Sequence, residues 1–380
     1  MPILALKILF GDRGKLLGLV FGVAFATLLV AQQSAMFVGL MTRSQNIIAD
    51  AQDADIWVMD PSVEYLDLVR PMRDGDLHRV RGVPGVVWAA PLFKATAPVK
   101  TPEGRTKNAL ILGVEDTTLI GATQRFVIGS VADLQRPDAI AIDRVGFMQL
   151  WPGEPLAVGR TLELNDRRAV VTAITDAAAA FSAQVIIYAR YSQALSYLPT
   201  GRNQLSFVLA KAARDLEPTN VALAITDQTG LRAHSSEEFS RRTVQYYIRS
   251  TGIPMSFITT ILLGMLVGSA IVGLTFSMFV SDNLPQYAML KVIGVTDFRI
   301  TALVLLQAAV VGTTGYAIGI GLAAAFFEFV CTPTSALRGF ILPWWIAAGV
   351  AGAVSVLILL STLASLRRVF AVEPAVIFRS

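Results

Sequence analysis

The 380-residue chain has one cysteine, Cys331, so no intrachain disulfide can form and cysteine usage leaves the redox compartment open. Its two histidines, His78 and His234, stand far apart, which excludes a His-rich metal site. Charged residues make up only 16% of the chain. The formal net charge of +4 is not gathered into the basic stripe that nucleic acid would need as a partner. A phosphate-cradling loop ending in Gly-Lys-Ser/Thr is missing. Gly11-Asp12-Arg13-Gly14-Lys15 has the wrong spacing for one, so no ATP site can be argued in this chain. What the sequence does have is apolar residues, at 54%, too many for an ordinary soluble chain of this length.

Those residues gather at 16–41, 255–280, 300–330 and 342–366. A hydrocarbon core about 30 Å thick needs about 20 mainly apolar residues in a spanning helix, and each run is long enough. The first run lacks a small-residue cleavage site after it and is read as a retained helix, not a signal peptide. The fold class expected is membrane α-helical, with four transmembrane helices and a large extracytoplasmic α+β domain inserted between helices one and two. The divisions are 1–41 (an amphipathic N-terminal stretch and helix one), 42–254 (the outer domain) and 255–380 (helices two to four with the tail). Lys7, Arg13, Lys15, Lys291, Arg299, Arg367, Arg368 and Arg379 fall on one side of the membrane, against Arg338 alone in the short loop opposite. The positive-inside rule then places both termini in the cytoplasm and 42–254 outside.

Gly18/Gly22, Gly264/Gly268 and Gly315/Gly319 are GxxxG pairs, a spacing that lets helix backbones approach closely in lipid. They are expected to form a helix-packing or dimer seam, and the spacing does not say which. Gln32 and Gln33 join that seam as interhelical hydrogen-bonding groups or lie at headgroup level. Gln307 and Glu328 are read as further interhelical polar groups. No ladder of intramembrane charge is present, which disfavours a proton-driven transporter.

In the outer domain, strands are expected at 55–59, 86–90, 95–99, 108–114, 139–142, 161–164, 169–175, 184–189, 205–210 and 231–233. Helices are expected at 76–81, at 216–228 and from Ser235 or Ser236 onward. The pattern implies an α+β module near both ends of the domain with a β-rich insertion between. Asp50, Asp53 and Asp55 cluster without an EF-hand ligand pattern and are read as solvated or capping groups. Ser182 and Ser206 lack the context of a nucleophile elbow. No catalytic constellation, metal site or cofactor site emerges.

One segment carries more information: Asn283-Leu284-Pro285-Gln286-Tyr287-Ala288-Met289-Leu290-Lys291-Val292-Ile293-Gly294-Val295-Thr296. It resembles the cytoplasmic segment of MacB/FtsX/LolE-type ABC transporter permeases, R-x-x-E-F/Y-x-x-L-K/R-A-L/I-G-A-T/S. Tyr287, Leu290, Lys291, Ile293, Gly294 and Thr296 fall on that pattern, while Asn283, Gln286, Val292 and Val295 depart from it. Val372-Glu373-Pro374-Ala375-Val376-Ile377-Phe378-Arg379 resembles the family's closing D-P-x-x-A/V-L/I-R. Gln32-Gln33-Ser34 and the compact outer domain look most like the DevC branch.

The resemblance implies a type VII, mechanotransmission permease of the bacterial inner membrane that is not itself an enzyme. It would pair with a second permease copy and a separate ABC ATPase that holds ATP and Mg. A periplasmic adaptor (a membrane fusion protein), an outer-membrane channel and membrane lipid complete the implied partners. A LolE-like lipoprotein extractor or an FtsX-like regulator of an envelope enzyme are the alternatives. Docking to the ATPase would fall to Leu284, Pro285, Gln286, Tyr287, Leu290, Lys291, Ile293 and Gly294. On the residues alone, Tyr287, Leu290 and Ile293 have i, i+3, i+6 spacing and form an apolar ridge that Gly294 would end. The substrate is not named by the sequence.

Overall fold

The computed structural model describes residues 2–181, 185–198, 205–332, 335 and 337–370, so Ser182, the first residue of the 184–189 strand and the 372–379 motif lie outside the described set. In chain order the elements are α1 (Pro2–Gly11), α2 (Arg13–Asp50), β1 (Ile56–Met59), α3 (Asp74–Arg81), β2 (Val86–Lys100), β3 (Thr106–Val114) and β4 (Phe126–Ile128). Then come β5 (Ala139–Asp143), α4 (Arg144–Leu150), β6 (Thr161–Leu164), β7 (Arg167–Thr175), β8 (Val185–Arg190), α5 (Tyr191–Ser196) and β9 (Phe207–Ala212). The last are α6 (Pro218–Thr229), β10 (Arg232–Ser235), α7 (Ser236–Ser250), α8 (Ile253–Asp282), α9 (Leu284–Val292), α10 (Asp297–Val330) and α11 (Trp344–Phe370). They cluster into two compact units, residues 1–38, 252–332 and 340–380 in one and 39–251 with 333–339 in the other.

In the helical unit, α2, α8, α10 and α11 are each long and apolar enough to cross a membrane. Asp12 separates α1 from α2 and caps the second, its carboxylate accepting from the Lys15 backbone N–H at 3.2 Å. The glycine pairs explain how the helices pack. A Cβ on Gly22 would lie 2.7 Å from Ile271 of α8, and one on Gly268 would lie 2.4 Å from Ala26 of α2. Gly18 faces Thr275 and Gly264 faces Leu29, so α2 and α8 offer glycines to each other reciprocally. On α10, Gly315 meets Val23 and Gly319 meets the Ala24 carbonyl and Thr27. All six glycines are occupied by neighbours in their own chain, as close backbone approach in lipid requires.

The outer unit is built on a ten-stranded sheet in the order β10-β1-β9-β2-β3-β8-β5-β7-β4, with β6 bridging β2 and β7. That bridge closes β2, β3, β8, β5, β7 and β6 into a six-stranded ring. The expected strands at 86–90 and 95–99 are one strand, β2. Its first half pairs with β9 from Val86 to Leu92, and its second half pairs with β3 from Phe93 to Lys100. The β6–β7 hairpin turns on Asn165 and Asp166, both at positive φ, the requirement of a two-residue turn matched to strand twist.

Among the described residues, three buried clusters hold the unit together. Phe93, Val99, Ile111, Ile142, Val171 and Ile187 of the ring pack with Phe147 and Trp151. Trp57, Leu112, Ile186, Phe207 and Phe239 pack with Ile47 and Ile48 from the last turns of α2. Val58, Val80, Val208, Val221 and Ile225 fill the space under α3 and α6. The result is an α+β module, made of β1, β9, β10, α3, α6 and α7, carrying the β-rich ring as an insertion.

Candidate functional site

The segment that the sequence marks as a coupling element forms the short helix α9. Pro285 sits in its first turn, where no backbone donor is needed. Its end is a Schellman motif: Gly294 takes φ +93°, its N–H donates to the Lys291 carbonyl at 3.0 Å, and Val295 N–H donates to the Leu290 carbonyl at 3.0 Å. Lys291 pairs with Asp297 at 2.9 Å across that turn.

Of the expected ridge of Tyr287, Leu290 and Ile293, only Ile293 lies on the face that α9 exposes. Tyr287 is buried, at 1% exposure, and Leu290 is half-buried. The exposed face carries Pro285, Gln286, Met289, Val292 and Ile293, and Phe298 stands clear just beyond it. Pro285, Met289, Val292 and Ile293 follow the i, i+4, i+7, i+8 spacing of a helical stripe. The Tyr287 hydroxyl donates to Gln307 Oε1 at 3.2 Å, and Gln307 Nε2 donates to the Ala5 carbonyl at 3.0 Å. One buried glutamine of α10 therefore ties α9 and α1 together. Burial raises the Tyr287 hydroxyl pKa to about 12, so it stays a proton donor.

Gln32 and Gln33 are half-buried on α2, Leu284 and Lys291 are half-buried on α9, and Gly294 is exposed.

In the outer unit, the aspartate cluster is not simply solvated. Asp50, 4% exposed, ends α2 by pairing with Arg125 and accepting from Ala178 N–H at 2.9 Å. Asn46, one turn earlier, donates to the Ala179 carbonyl at 2.7 Å. Asp53 accepts from Gln124 at 3.3 Å, and Asp55 pairs with Lys211 at 2.9 Å. Asp50 looks local in sequence because its partners lie 75 and 128 residues away.

Sequence reasoning missed Asp143 altogether and took Arg338 only as a loop charge. Their side chains are 1% and 10% exposed and meet at 2.5 Å. Asp143 also caps α4 by accepting from Gly146 N–H at 3.0 Å, and it accepts from Ile186 N–H at 2.6 Å. Burial lifts its carboxyl above the ordinary carboxylate pKa against the pull of Arg338 and the two amides. Of the histidines, His78 is exposed, whereas His234 lies 3.3 Å from Glu238 with its pKa lowered chiefly by burial and then by Arg242.

Residues 16–228 match the family model of the MacB-like periplasmic core domain, and residues 258–374 match that of the FtsX-like permease C-terminal region. The chain belongs to the MacB/FtsX-type permeases. No curated protein matched it. Among solved structures, the periplasmic region of MacB from Actinobacillus actinomycetemcomitans is 12% identical, covers 52% of this chain and 97% of its own, and gives a TM-score of 0.38. The extracellular domain of the noncanonic ABC-type transporter YknZ from Gram-positive bacteria is 13% identical, covers 48% of this chain and 98% of its own, and gives 0.34. For a permease of this family, the exposed stripe on α9 and the anchored end of α2 are the features to explain.

Proposed function

We propose that this ABC-type permease is the membrane subunit of an ATP-driven exporter that works by mechanotransmission, as a homodimer with two copies of a separate ATPase holding ATP and Mg. The observation that carries the reading is α9. It presents Pro285, Met289, Val292 and Ile293 outward while Tyr287 and Gln307 fix it from behind. An apolar stripe on a rigidly backed helix suits a groove in a partner protein. Leu284, Gln286, Leu290, Lys291 and Gly294 shape that helix and its ends, and Tyr287 acts as its inner anchor.

On this reading the chain is a multi-pass protein of the bacterial inner membrane, with both termini cytoplasmic and residues 42–254 outside. The charge asymmetry supports the orientation, because Arg338, the lone basic residue of the outer loop, is neutralised by Asp143. The outer domain would meet a periplasmic adaptor. Gln32-Gln33-Ser34 favours the DevC-like placement.

The test is affinity capture of the tagged chain from native membranes with identification of what is retained. An ABC ATPase together with a periplasmic adaptor is expected. An ATPase with a cell-wall hydrolase or its activator would replace export by the FtsX-like regulatory function. Capture of no ATPase would overturn both.

A further inference from the structure

Asp143, Arg338 and Arg43 come from three separate parts of the chain. Asp143 ends β5, Arg338 sits on the turn that leads from α10 into α11, and Arg43 lies on the outer stretch of α2. Arg338 Nη1 donates to Asp143 Oδ2 at 2.5 Å, while the Arg338 backbone carbonyl accepts from Arg43 Nη2. Asp143 is fixed in turn by the amides of Gly146 and Ile186, one in α4 and one in β8. Gly146 has no room for a side chain: a Cβ there would lie 2.5 Å from Asp143 Oδ1 and 2.8 Å from Val185.

A pair so deeply buried is poorly explained as a stability device. Desolvating both charges offsets most of their attraction, and an apolar pair of similar volume would hold a turn equally well. Charge-assisted hydrogen bonds do supply direction and a defined geometry. Here they run in series, from a membrane-helix extension to a loop carbonyl, along one arginine, and into a strand of the central ring. Asp50 and Asn46 anchor the same stretch of α2 to the segment after β7, the strand beside β5.

We propose that Arg338 is a strap residue, making the 337–339 turn, the outer stretch of α2 and β5 one mechanical piece, so that movement of α10 and α11 enters the outer domain at Asp143. The second half of this statement rests on the mechanotransmission reading; the first half does not. Arg338 and Asp143 are positioning residues in this account.

The experiment is amide hydrogen exchange on the full chain in lipid nanodiscs, comparing wild type with Arg338→Gln, Arg338→Lys and the double variant Asp143→Asn/Arg338→Gln. In the chain alone, Arg338→Gln should speed exchange at least about tenfold at the Gly146 and Ile186 amides and over 40–46, regions distant in sequence from the substitution. Arg338→Lys should recover part of that protection. The double variant, which buries no unpaired charge, should unfold at a temperature closer to wild type than Arg338→Gln does, showing that the single variant's effect is not general misfolding. Exchange changes confined to 337–343 would overturn the strap.

The same comparison on the captured ATPase complex with ATP and vanadate tests transmission. Wild type should show a nucleotide-dependent change over 139–146 that Arg338→Gln loses while keeping ATP hydrolysis. An unaltered response in Arg338→Gln would overturn the entry point at Asp143. If wild-type chain captures no ATPase, the mechanotransmission reading falls and transmission through Asp143 falls with it, while exchange in the chain alone still decides the strap.

Discussion

The hydroxyl of Tyr287 donates to Gln307 Oε1 at 3.2 Å, and the same glutamine holds the Ala5 carbonyl at 3.0 Å. A residue expected to touch a partner is instead buried behind α9 and fastens that helix to α10. Buried polar groups satisfied in this way specify one arrangement of α1, α9 and α10.

This division of labour separates two kinds of variant. Met289→Asp with Ile293→Asp changes only exposed positions and should leave thermal unfolding within about 0.5 kcal/mol of wild type while abolishing ATPase capture. Tyr287→Phe leaves the Gln307 acceptor unmet and should lower stability by about 1–3 kcal/mol, with weaker capture following from a loosened helix. Normal ATPase capture by the aspartate pair would remove α9 from the docking surface.

Gly268→Leu should be among the most damaging changes in the membrane helices. A Cβ at that position already lies 2.4 Å from Ala26 Cβ, and the rest of the side chain has no path between α8 and α2. Overpacking of this kind costs about 1–3 kcal/mol. Gly321, with nothing within 4 Å of its Cβ position, should accept leucine without loss. Chain recovered after mild heating in detergent, compared for the two variants, reads the difference.

Lys94 is 5% exposed and pairs with Asp67 at 2.6 Å, and the Tyr247 hydroxyl donates to the other Asp67 oxygen at 2.8 Å. Burial, followed by Asp67, holds the Tyr247 pKa far above its ordinary value, so it remains a donor. Lys94→Met should cost about 3–5 kcal/mol by leaving a carboxylate nearly buried without its cation. Lys94→Met with Asp67→Leu should recover part of that loss. Denaturant unfolding followed through tryptophan fluorescence measures both.

His234 makes outer-domain stability depend on pH. Its folded pKa lies below the model-peptide value, chiefly through burial, so the unfolded chain binds the proton more readily. Its contribution is fully present above the unfolded pKa of about 6.5 and is lost as pH falls from there through the lower folded value. His234→Gln should flatten the dependence of Tm on pH between about 5 and 7. An unchanged slope would show that His234 does not titrate across unfolding.

The membrane layout was legible because each span carries its signal locally, as a long apolar run, and three of the four add a GxxxG pair. The α+β module and its β-rich insertion were legible from alternation and turn residues. Three features were not. Tyr287 was assigned to the wrong face because a nine-residue helix allows two readings of its stripe, and the structure selects the one containing Met289 and Val292. The break expected between 90 and 95 is absent because Pro91 sits in β2 opposite Val208 without ending the strand. The Arg338–Asp143 pair joins residues 195 apart, a distance over which no periodicity or spacing rule operates.

Strand β2 has a consequence for how this protein can diverge. It serves two neighbours in succession, so its residue numbering is locked to β9 up to Leu92 and to β3 from Phe93 onward. Its one irregularity lies at the very start, around Val87, which is exposed and absorbs the extra residue harmlessly. A single insertion at the changeover would turn Ala97 and Val99 out of the ring core and bring Thr96 and Pro98 into it. Length changes among its relatives should therefore collect in the turns at 101–105 and 152–160, and the middle of β2 should keep its count.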